Sequence, residues 1–346
     1  MERMLLGGTG LEVYRLGFGG IPIQRVSEAE AIATVRHAVE RGVDFIDTSR
    51  AYTTSERRIG LALKQVGTAR RVVIASKSHS KTADKARADL ETSLKELDRD
   101  YIDLYQCHFV ATPEDYRTVT SSGGALEAYQ RAKDEGLIGH IGITSHSLDV
   151  LARAVEDELF ETVMVCFSFL EPEAREKVIR KAVERNIGVI AMKPFSGGMI
   201  ENARLALKWS LDEPGVLVIA GVEHAYLFDE NWRVFGDATP LTEAEQGEIA
   251  TLQAGYDKVF CRRCDYCQPC SEQIPIQTVL GLRSMVKRMG AQLLREGMFA
   301  GAIAKGRDCS ECGDCMTRCP YDLPIPDLIR ENLRWLDGLE EGAASA

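Results

Sequence analysis

Several features that would point to other classes of protein are missing from this 346-residue sequence. No apolar run reaches the roughly 20 residues that cross a bilayer, and residues 1–10 contain no signal-peptide core. Positive charge is scarce, with 42 Lys and Arg against 52 Asp and Glu. Because phosphate backbones are bound by clustered Lys and Arg, we expect no nucleic-acid partner. The missing apolar run and signal-peptide core lead us to expect no membrane partner and a cytoplasmic location.

Cysteine is also scarce over the first 260 residues, which contain only Cys107 and Cys166. The other eight cysteines form two short groups near the carboxy terminus. In a reducing compartment such groups are typical of metal sites rather than of disulfides. We expect Cys107 and Cys166 to be buried core residues.

Short apolar runs alternate with helix-like stretches between residues 15 and 235. The runs are Leu16–Gly20, Asp44–Thr48, Val72–Lys77, Ile102–His108, His140–Ser145, Thr162–Phe169, Gly188–Phe195 and Val216–Gly221. The predicted helices are Ser27–Arg41, Ala83–Leu97, Leu126–Glu135, Glu173–Arg185 and Asn202–Leu211. Ser27 with Glu30 fits a capping box at the start of the first helix, and Gly42 ends it. Most runs lack the alternation of half-exposed strands, as expected for buried parallel strands. The pattern predicts an α/β fold, a (β/α)₈ TIM barrel. A doubly wound sheet is the alternative, but no Gly-x-Gly-x-x-Gly follows the first strand.

The chain is predicted to contain two domains. Residues 1–14 resemble a hairpin with a turn at Gly7–Gly10, which would close the amino-terminal end of the barrel. The β/α rhythm stops around Asp237–Glu245. We therefore expect a barrel over residues 1–250 and a small domain over 251–346, in which cysteine loops flank one helix, Ile276–Glu296.

Four ionisable residues occur at or just after three successive predicted strands. Asp47 ends the second strand and Tyr52 follows it, while Lys77 and His108 end the third and fourth. In a TIM barrel the chemistry takes place at the carboxyl ends of the strands. These four side chains are therefore predicted to meet at one mouth.

The segments around these residues resemble the active-site segments of aldo-keto reductases, over about residues 1–235 of the chain. They are Phe45-Ile-Asp-Thr-Ser-Arg-Ala-Tyr52, Val73-Ile-Ala-Ser-Lys77 and Tyr101-Ile-Asp-Leu-Tyr-Gln-Cys-His108. The resemblance implies an oxidoreductase in which hydride passes from a nicotinamide to a carbonyl carbon. Tyr52 would donate the proton, and the Lys77 ammonium, oriented by Asp47, would stabilise the phenolate. Neutral His108 would polarise the carbonyl.

The same resemblance implies a binding site for NADH or NADPH across the barrel mouth. It assigns nicotinamide contacts to Asp47, Gly19, Gly20, Ile21, Thr144, Ser145, Met164 and Met192. It assigns contacts around the pyrophosphate to Lys193, Pro194, Phe195 and Gly197, and contacts around the adenosine to Gly221, Glu223, Leu227 and Asn231.

Several of these positions depart from the family pattern. Met164 replaces an expected glutamine, and Met192 stands where an aromatic ring often stacks on the nicotinamide. Gly221 and Leu227 stand where basic residues often bind a 2′-phosphate, with the acidic Glu223 close by. Since an acidic neighbour repels a phosphate, this favours NADH over NADPH.

The cysteine groups form an internal repeat. Cys309-x2-Cys312-x2-Cys315-x3-Cys319-Pro320 matches the bacterial ferredoxin run for a [4Fe–4S] cluster. Cys261-x2-Cys264-x2-Cys267-x2-Cys270 has a shorter last gap. In each group a proline, Pro275 or Pro324, follows five residues after the last cysteine. The repeat predicts two equivalent metal modules.

The ferredoxin resemblance implies that the last cysteine of each group is exchanged between two [4Fe–4S] clusters. One cluster would take Cys261, Cys264, Cys267 and Cys319, and the other Cys309, Cys312, Cys315 and Cys270. The alternative is two Cys₄ zinc sites, although zinc sites usually pair Cys-x2-Cys arms across a longer gap. The whole chain resembles aldo-keto reductases with a ferredoxin-like iron–sulfur tail.

Three functional hypotheses follow from the sequence. The first is a nicotinamide-dependent oxidoreductase of a small carbonyl or alcohol, with an attached iron–sulfur domain and a redox partner protein. The second is one-electron chemistry at the barrel site, fed by the clusters, as in a reductase or dehydratase. The third is a non-catalytic electron-transfer subunit. His79 and His146 lie near the predicted mouth and are candidates for substrate contact.

Overall fold

The computed structural model describes residues 1–66, 72–289, 296–297 and 299–343. The chain forms two compact units. The first comprises Met1–Phe195 and Asn202–Leu241, and the second comprises Ser196–Glu201 and Thr242–Ala346. The chain therefore divides near Leu241 rather than near residue 250. Residue 250 lies inside the helix Glu243–Tyr256, which belongs to the second unit.

The first unit is a closed barrel of eight parallel strands, as the sequence predicts. Two short antiparallel strands precede it, β1 (Arg3–Leu5) and β2 (Glu12–Tyr14). The barrel strands are β3 (Leu16–Gly19), β4 (Phe45–Asp47), β5 (Val73–Ser78), β6 (Ile102–Cys107), β7 (Ile138–Thr144), β8 (Thr162–Cys166), β9 (Gly188–Met192) and β10 (Val216–Gly221). They pair in sequence order, and β10 closes the barrel against β3.

The strands are apolar on both faces because each face is covered. In β10, Leu217 and Ile219 pack in the barrel interior, whereas Val216 and Val218 pack in the layer beneath the helices. Strands buried on both sides lose the alternating pattern of a half-exposed sheet. This explains why the sequence shows continuous apolar runs.

Helices surround the barrel. They are Glu28–Arg41, Ser55–Val66, Ala83–Leu97, Pro113–Thr120, Ala125–Asp134, Leu148–Asp157, Arg180–Glu184, Ala203–Leu211 and Ala225–Gly236. A π-helical turn, Arg175–Ile179, directly precedes Arg180–Glu184. The first begins at Ser27, whose Oγ accepts a hydrogen bond from the amide of Glu30 at 3.2 Å, and ends at Gly42 with φ of 116°. These are the start and stop signals read from the sequence.

The amino-terminal hairpin packs into the barrel interior. Leu6, Leu11 and Val13 are buried in the same apolar cluster as the inward-facing strand residues. The amide of Gly8 donates to the carbonyl of Asn186 at 2.7 Å, beside the start of β9. The hairpin predicted from residues 1–14 is therefore confirmed.

The second unit is helical, as predicted, but it contains more helices than the single one expected. Its helices are Glu243–Tyr256, Ile276–Leu280, Leu282–Met289, Ala300–Gly306, Asp314–Thr317 and Ile325–Ala343. The predicted helix Ile276–Glu296 is interrupted at Gly281, and part of it lies outside the described residues. The last helix carries Leu328, Leu333 and Leu336 into a separate apolar core with Ile276 and Val279.

None of the helices in the described part of the chain is long and apolar enough to cross a membrane.

Candidate functional site

The four ionisable residues come from three neighbouring strands. Asp47 is the last residue of β4, Lys77 lies one residue before the end of β5, and His108 directly follows β6. Tyr52 lies in the turn between β4 and the helix that begins at Ser55, where its amide donates to the carbonyl of Ser49 at 3.0 Å. Because β4, β5 and β6 are adjacent and parallel, their carboxyl ends meet at one mouth.

Lys77 is the centre of this site. Its Nζ donates to Asp47 Oδ1 at 2.5 Å and to the carbonyl of Thr48 at 2.8 Å. Both side chains of the ion pair are almost fully buried, and Gln106 Nε2 lies 3.5 Å from the other Asp47 oxygen. Burial by itself lowers the pKa of Lys77, but the attraction of Asp47 and Tyr52 raises it above its ordinary value. Lys77 is therefore a buried ammonium.

Tyr52 faces this ammonium. Lys77 Nζ lies 4.9 Å from the centre of the Tyr52 ring, and an interaction with the Tyr52 hydroxyl helps to raise the pKa of Lys77. The Tyr52 and His108 rings are 5.8 Å apart and meet edge to face at 86°. The acid, phenol, ammonium and imidazole predicted to converge are thus brought together.

His108 is held by Ser49, a residue that the sequence analysis did not single out. Ser49 Oγ lies 3.0 Å from His108 Nδ1 and 3.0 Å from the carbonyl of Lys77. Burial, and then the positive charges of Lys77, His79 and Lys193, lower the pKa of His108 well below its ordinary value. The imidazole is therefore neutral. Ser49 lies inside the Asp47–Tyr52 segment, so its place in that motif was the available signal.

Thr144 and Ser145, at the end of β7, are buried and engaged in bonds that shape the neighbouring loops. Thr144 Oγ1 accepts from the amide of Phe109 at 2.8 Å. Ser145 Oγ donates to the carbonyl of Val110 at 2.7 Å and accepts from the amide of Ser147. Their hydroxyl groups thus hold the loop that carries His108.

The two methionines differ in their surroundings. Met164, on β8, is buried in the apolar cluster inside the barrel, and Met192, at the end of β9, packs against that cluster while remaining half-buried. Met164 therefore acts as barrel core here. Met192 lies nearer the mouth surface.

Gly20 packs against the strand end that carries Asp47. A Cβ on Gly20 would lie 2.7 Å from the Asp47 carbonyl oxygen, and the Gly20 amide donates to that oxygen at 2.7 Å. Gly19 ends β3 beside Gly221 of β10, and Ile21 precedes a short 3₁₀ turn, Pro22–Arg25. Only glycine allows this close approach of backbones.

Glu223 is paired with a basic residue that the sequence analysis missed. Arg25 Nη1 lies 2.8 Å from Glu223 Oε2. The negative charge used to favour NADH is thus neutralised by a cation 198 residues away in sequence. Leu227 packs against the barrel's outer core and Asn231 is buried in the helix Ala225–Gly236.

The segment after β9 is divided between the two units. Lys193, Pro194 and Phe195 belong to the barrel unit, and Gly197 belongs to the second unit. Gly197 has φ of 71°, and its carbonyl accepts a hydrogen bond from Ser284 Oγ at 2.6 Å. Lys193 Nζ lies 2.8 Å from His146 Nε2 at the barrel mouth.

The eight tail cysteines fall into two neighbourhoods in the second unit. The thiols of Cys264 and Cys319 are close enough to raise the pKa of Cys261, although burial is the larger cause. The pKa of Cys315 is likewise raised, mainly by burial and then by the thiols of Cys309, Cys312 and Cys270. All four members of this latter set, together with Arg318, line one cavity.

Within the described residues, no three or more His, Cys, Asp or Glu side chains are arranged to hold a metal ion. Cys107 and Cys166 lie in the barrel and are buried, as expected, and burial raises the pKa of Cys107 to about 12.

Comparisons with known proteins agree with this geometry. The chain is 30% identical over 217 residues to L-galactose dehydrogenase of Arabidopsis thaliana, a match that covers 58% of this chain and 67% of that protein. It is 28% identical to the aldo-keto reductase YhdN of Bacillus subtilis, covering 58% of this chain and 64% of that protein. The chain thus spans about two-thirds of the length of these relatives.

Solved structures show the same fold. The aldo-keto reductase AKR11C1 from Bacillus halodurans superposes with a TM-score of 0.62 at 24% identity, covering 73% of this chain and 96% of that one. MGS-M4, an aldo-keto reductase from a deep-sea metagenome library of the Medee basin, superposes with a TM-score of 0.60 at 21% identity, covering 73% and 96%. The signature of the Aldo/keto reductase family matches residues 15–204, which contain all four ionisable residues of the mouth. The chain therefore belongs to the aldo/keto reductase family of oxidoreductases.

Proposed function

We propose that this protein reduces a carbonyl compound, or oxidises the corresponding alcohol, by hydride transfer with NADH or NADPH, and that Tyr52 is the proton donor. The observation that carries the proposal is the contact of Lys77 with both Asp47 and Tyr52 at the barrel mouth. The phenol is the only one of these groups that can deliver a proton at neutral pH while its conjugate base is stabilised by an adjacent ammonium.

The ion pair prepares Tyr52 for this step. As the carbonyl oxygen accepts the proton, Tyr52 becomes a phenolate, and the Lys77 ammonium lies beside it to balance the charge. Asp47 keeps Lys77 charged and restricts it to one orientation. In the direction of alcohol oxidation the same phenolate accepts the proton.

His108 has the role of a hydrogen-bond donor to the carbonyl oxygen. A neutral imidazole donates from one nitrogen only, and its partner at the other nitrogen decides which one. Ser49 Oγ has one proton and two acceptors at 3.0 Å, the Lys77 carbonyl and His108 Nδ1; when that proton is given to Nδ1, the ring proton resides on Nε2. Ser49 is thus proposed to select the tautomer that polarises the substrate.

The residues around the mouth fit a nicotinamide dinucleotide. The exposed backbone at Gly221 allows close approach, and Arg25 supplies a cation near the predicted adenosine end. Bound there, the dinucleotide would supply the hydride. Gly19, Gly20, Ile21, Met192 and Asn231 remain proposed contacts, and Thr144 and Ser145 are proposed to shape that part of the site.

Arg25 and Glu223 together would decide between the two nucleotides. Glu223→Gln leaves the Arg25 guanidinium without its carboxylate, so kcat/KM for NADPH relative to NADH should rise about tenfold, the size of one charge-assisted hydrogen bond. Arg25→Gln is the matched variant and should move the ratio in the opposite direction. An unchanged ratio in both would contradict an adenosine site at this position.

We also propose that the second unit holds two [4Fe–4S] clusters, one on Cys261, Cys264, Cys267 and Cys319. The other would be held by Cys309, Cys312, Cys315 and Cys270. The mutual influence of Cys261 with Cys319, and of Cys315 with Cys270, supports this exchange of the last cysteine. The four thiols of the second set surround one cavity, as ligands of one cluster would.

Single substitutions test the ligand sets. Cys319→Ser and Cys270→Ser should each remove one cluster and about half of the bound iron, measured by iron analysis and by EPR of the reduced protein. The two variants should lose different EPR signals. Cys166→Ala, a buried barrel cysteine, is the matched control and should keep all the iron. Zinc in place of iron in the anaerobically prepared protein would contradict the proposal.

One experiment tests the function of the whole chain. Anaerobic protein with its clusters is mixed with NADH or NADPH, with and without a carbonyl substrate, and followed by absorbance and EPR. Carbonyl-dependent oxidation of the nucleotide is the expected result, and reduction of the clusters would show that electrons pass from the nucleotide to the second unit. A protein that binds neither nucleotide would contradict the proposal.

A further inference from the structure

Four residues on neighbouring strands form a row across the barrel. Lys77 on β5 pairs in register with Gln106 on β6. Gln106 in turn pairs with Gly142 on β7, which pairs with Thr162 on β8. Residues in register on neighbouring strands belong to the same face of a sheet. Because Lys77 belongs to the proposed active site, the row connects that site with β8.

Gln106 and Thr162 face the barrel interior. Leu104, two residues before Gln106, and Met164, two residues after Thr162, both lie in the apolar cluster inside the barrel. Side chains two residues apart on a strand face the same way. Gln106 and Thr162 are both fully buried there. A polar group in such surroundings costs free energy unless its hydrogen bonds are made.

One end of the Gln106 amide contacts the proposed active site. Gln106 Nε2 lies 3.5 Å from Asp47 Oδ2, while Lys77 Nζ donates to Asp47 Oδ1 at 2.5 Å. Burial raises the pKa of Asp47, and the hydrogen bonds from Lys77 and Gln106 oppose this rise. Since a carboxylate only accepts hydrogen bonds, the NH₂ end of the amide faces Asp47. The amide oxygen is therefore available for another partner.

This amide oxygen and the Thr162 hydroxyl have complementary needs. Among the residues that the structure describes, neither Gln106 Oε1 nor Thr162 Oγ1 has a hydrogen-bond partner. An amide oxygen only accepts, whereas a hydroxyl can also donate. Leaving both groups unsatisfied inside the barrel would cost free energy twice, so a bond between them removes both costs.

Gly142 brings the two groups near each other. A Cβ on Gly142 would lie 2.3 Å from Thr162 Oγ1, 2.9 Å from Gln106 Cγ and 3.3 Å from Gln106 Oε1. Both side chains therefore use the space beside this glycine. Their oxygens lie within about 6 Å of each other, which two hydrogen bonds that meet at one water molecule can span.

We propose that the Thr162 hydroxyl donates to Gln106 Oε1, directly or through one buried water molecule, and that Gln106 is thereby a positioning residue for Asp47. A fixed amide oxygen keeps the NH₂ group of Gln106 on Asp47 Oδ2. A carboxylate held at both oxygens in turn keeps the Lys77 ammonium beside Tyr52. This role rests on the proposed function, because it concerns the same site.

A double-mutant cycle tests the hydrogen bond without turnover. The whole chain carries Trp335→Phe, so that Trp209 and Trp232, both in the barrel, report its urea unfolding. Thr162→Val leaves Gln106 Oε1 buried without a donor, so the equilibrium constant for unfolding should rise about tenfold. In a Gln106→Met background the acceptor is gone, and the same substitution should change the constant less than about threefold.

Two results of the cycle would overturn the bond. They are an equal effect of Thr162→Val in both backgrounds, and a lower unfolding constant in Thr162→Val when Gln106 is present. Thr9→Val is the matched control, because Thr9 is also a buried threonine and its hydroxyl donates to the carbonyl of Leu6 at 2.7 Å. Its effect should be the same with and without Gln106.

Steady-state kinetics test the positioning role. Gln106→Met should lower kcat about tenfold, because a loosened Asp47 no longer fixes the Lys77 ammonium at Tyr52. KM for the carbonyl compound and Kd for the nucleotide should stay within about twofold, since the loss falls on the chemical step. Thr162→Val should lower kcat in the same direction, and Thr162→Ser, which keeps the hydroxyl, should restore it.

The kinetic control is again Thr9→Val, which should leave kcat unchanged. Wild-type kcat in both Gln106→Met and Thr162→Val would show that the amide does not position Asp47. An equal loss in Thr9→Val would mean that any buried threonine has this effect, which also contradicts the proposed role. If the wild-type protein has no carbonyl turnover, hydride transfer is refuted, and the unfolding cycle still decides whether the bond exists.

Discussion

The barrel mouth and the cysteine unit bury polar groups in opposite ways. At the mouth, Lys77 and Asp47 are opposite charges that satisfy each other inside the protein. In the second unit, thiols face other thiols, and burial raises the pKa of Cys261 to about 11 and that of Cys267 to about 12. Neighbouring thiols raise these pKa values further, whereas a coordinated metal ion would deprotonate the thiols.

This difference indicates how each site is organised. The polypeptide itself holds the ionisable groups of the barrel site: the Thr48 carbonyl accepts a hydrogen bond from Lys77, Ser49 bonds His108, and Gln106 donates to Asp47. The cysteine neighbourhoods have suitable donors and spacing, but the thiols stabilise each other poorly without a cation. We therefore expect removal of the proposed clusters to destabilise the second unit more than the barrel.

The sharpest test of the barrel site is Tyr52→Phe. Removing the proton donor should lower kcat about 10²- to 10⁴-fold, since general acid catalysis contributes that much, while the Kd for nucleotide stays the same. Steady-state kinetics and fluorescence titration measure the two quantities. Tyr116→Phe is the matched control, because that hydroxyl donates a hydrogen bond at 2.9 Å to Asp157, which is not one of the four ionisable residues of the mouth. Turnover near wild type in Tyr52→Phe would refute its role.

Lys77→Met tests whether the mouth is held by its own ion pair. The variant leaves the Asp47 carboxylate buried and without its cation, so the free energy of unfolding of the barrel should fall by about 3–5 kcal/mol. A Trp335→Phe background leaves Trp209 and Trp232, both in the barrel, as reporters of urea unfolding. The double variant Asp47→Asn, Lys77→Met should be more stable than Lys77→Met alone. A loss below about 1 kcal/mol would mean that water or Gln106 compensates.

The pKa of His108 predicts how the stability of the barrel depends on pH. Its folded pKa lies well below the ordinary value of about 6.5. At pH values between the folded and the unfolded pKa, the unfolded chain binds a proton at His108 and the folded chain does not. The free energy of unfolding therefore falls as the pH drops below about 6.5. His108→Asn should reduce this slope by up to about 1.4 kcal/mol per pH unit. Urea unfolding at pH 7.5, 6.5 and 5.5 measures it.

An unchanged slope in His108→Asn would indicate that His108 is protonated in the folded barrel. His79 provides a comparison, since burial and Lys77 also lower its pKa, so part of the slope should persist in the His108 variant.

The smallest expected effects test whether the two units unfold independently. Ser27 caps a barrel helix, and Thr242 caps Glu243–Tyr256 in a capping box with Glu245. Replacing either by Ala should cost its helix about 1 kcal/mol and speed local amide exchange about fivefold. Exchange measured by mass spectrometry should change only in the unit that carries the substitution. Each variant is the control for the other, and equal changes in both helices would mean that the units unfold together.

Local sequence patterns predicted a large part of this structure. Apolar runs without alternation predicted eight parallel strands, and Ser27 with Gly42 marked the ends of the first barrel helix. The tail helix Ile325–Ala343 was missed, although Pro324 precedes it and Leu328, Leu333 and Leu336 face the same core.

The chemical types at the mouth were readable because Asp47, Tyr52, Lys77 and His108 follow strands, and parallel strands of a barrel end together. The order of the residues along the chain was therefore sufficient to bring these groups near one another. Contacts between distant loops were not readable in this way. Three such contacts were decided only by the tertiary structure: the pairing of Arg25 with Glu223, the bond between Ser49 and His108, and the bond between Lys193 and His146. No local pattern records which strand ends become neighbours at the barrel mouth.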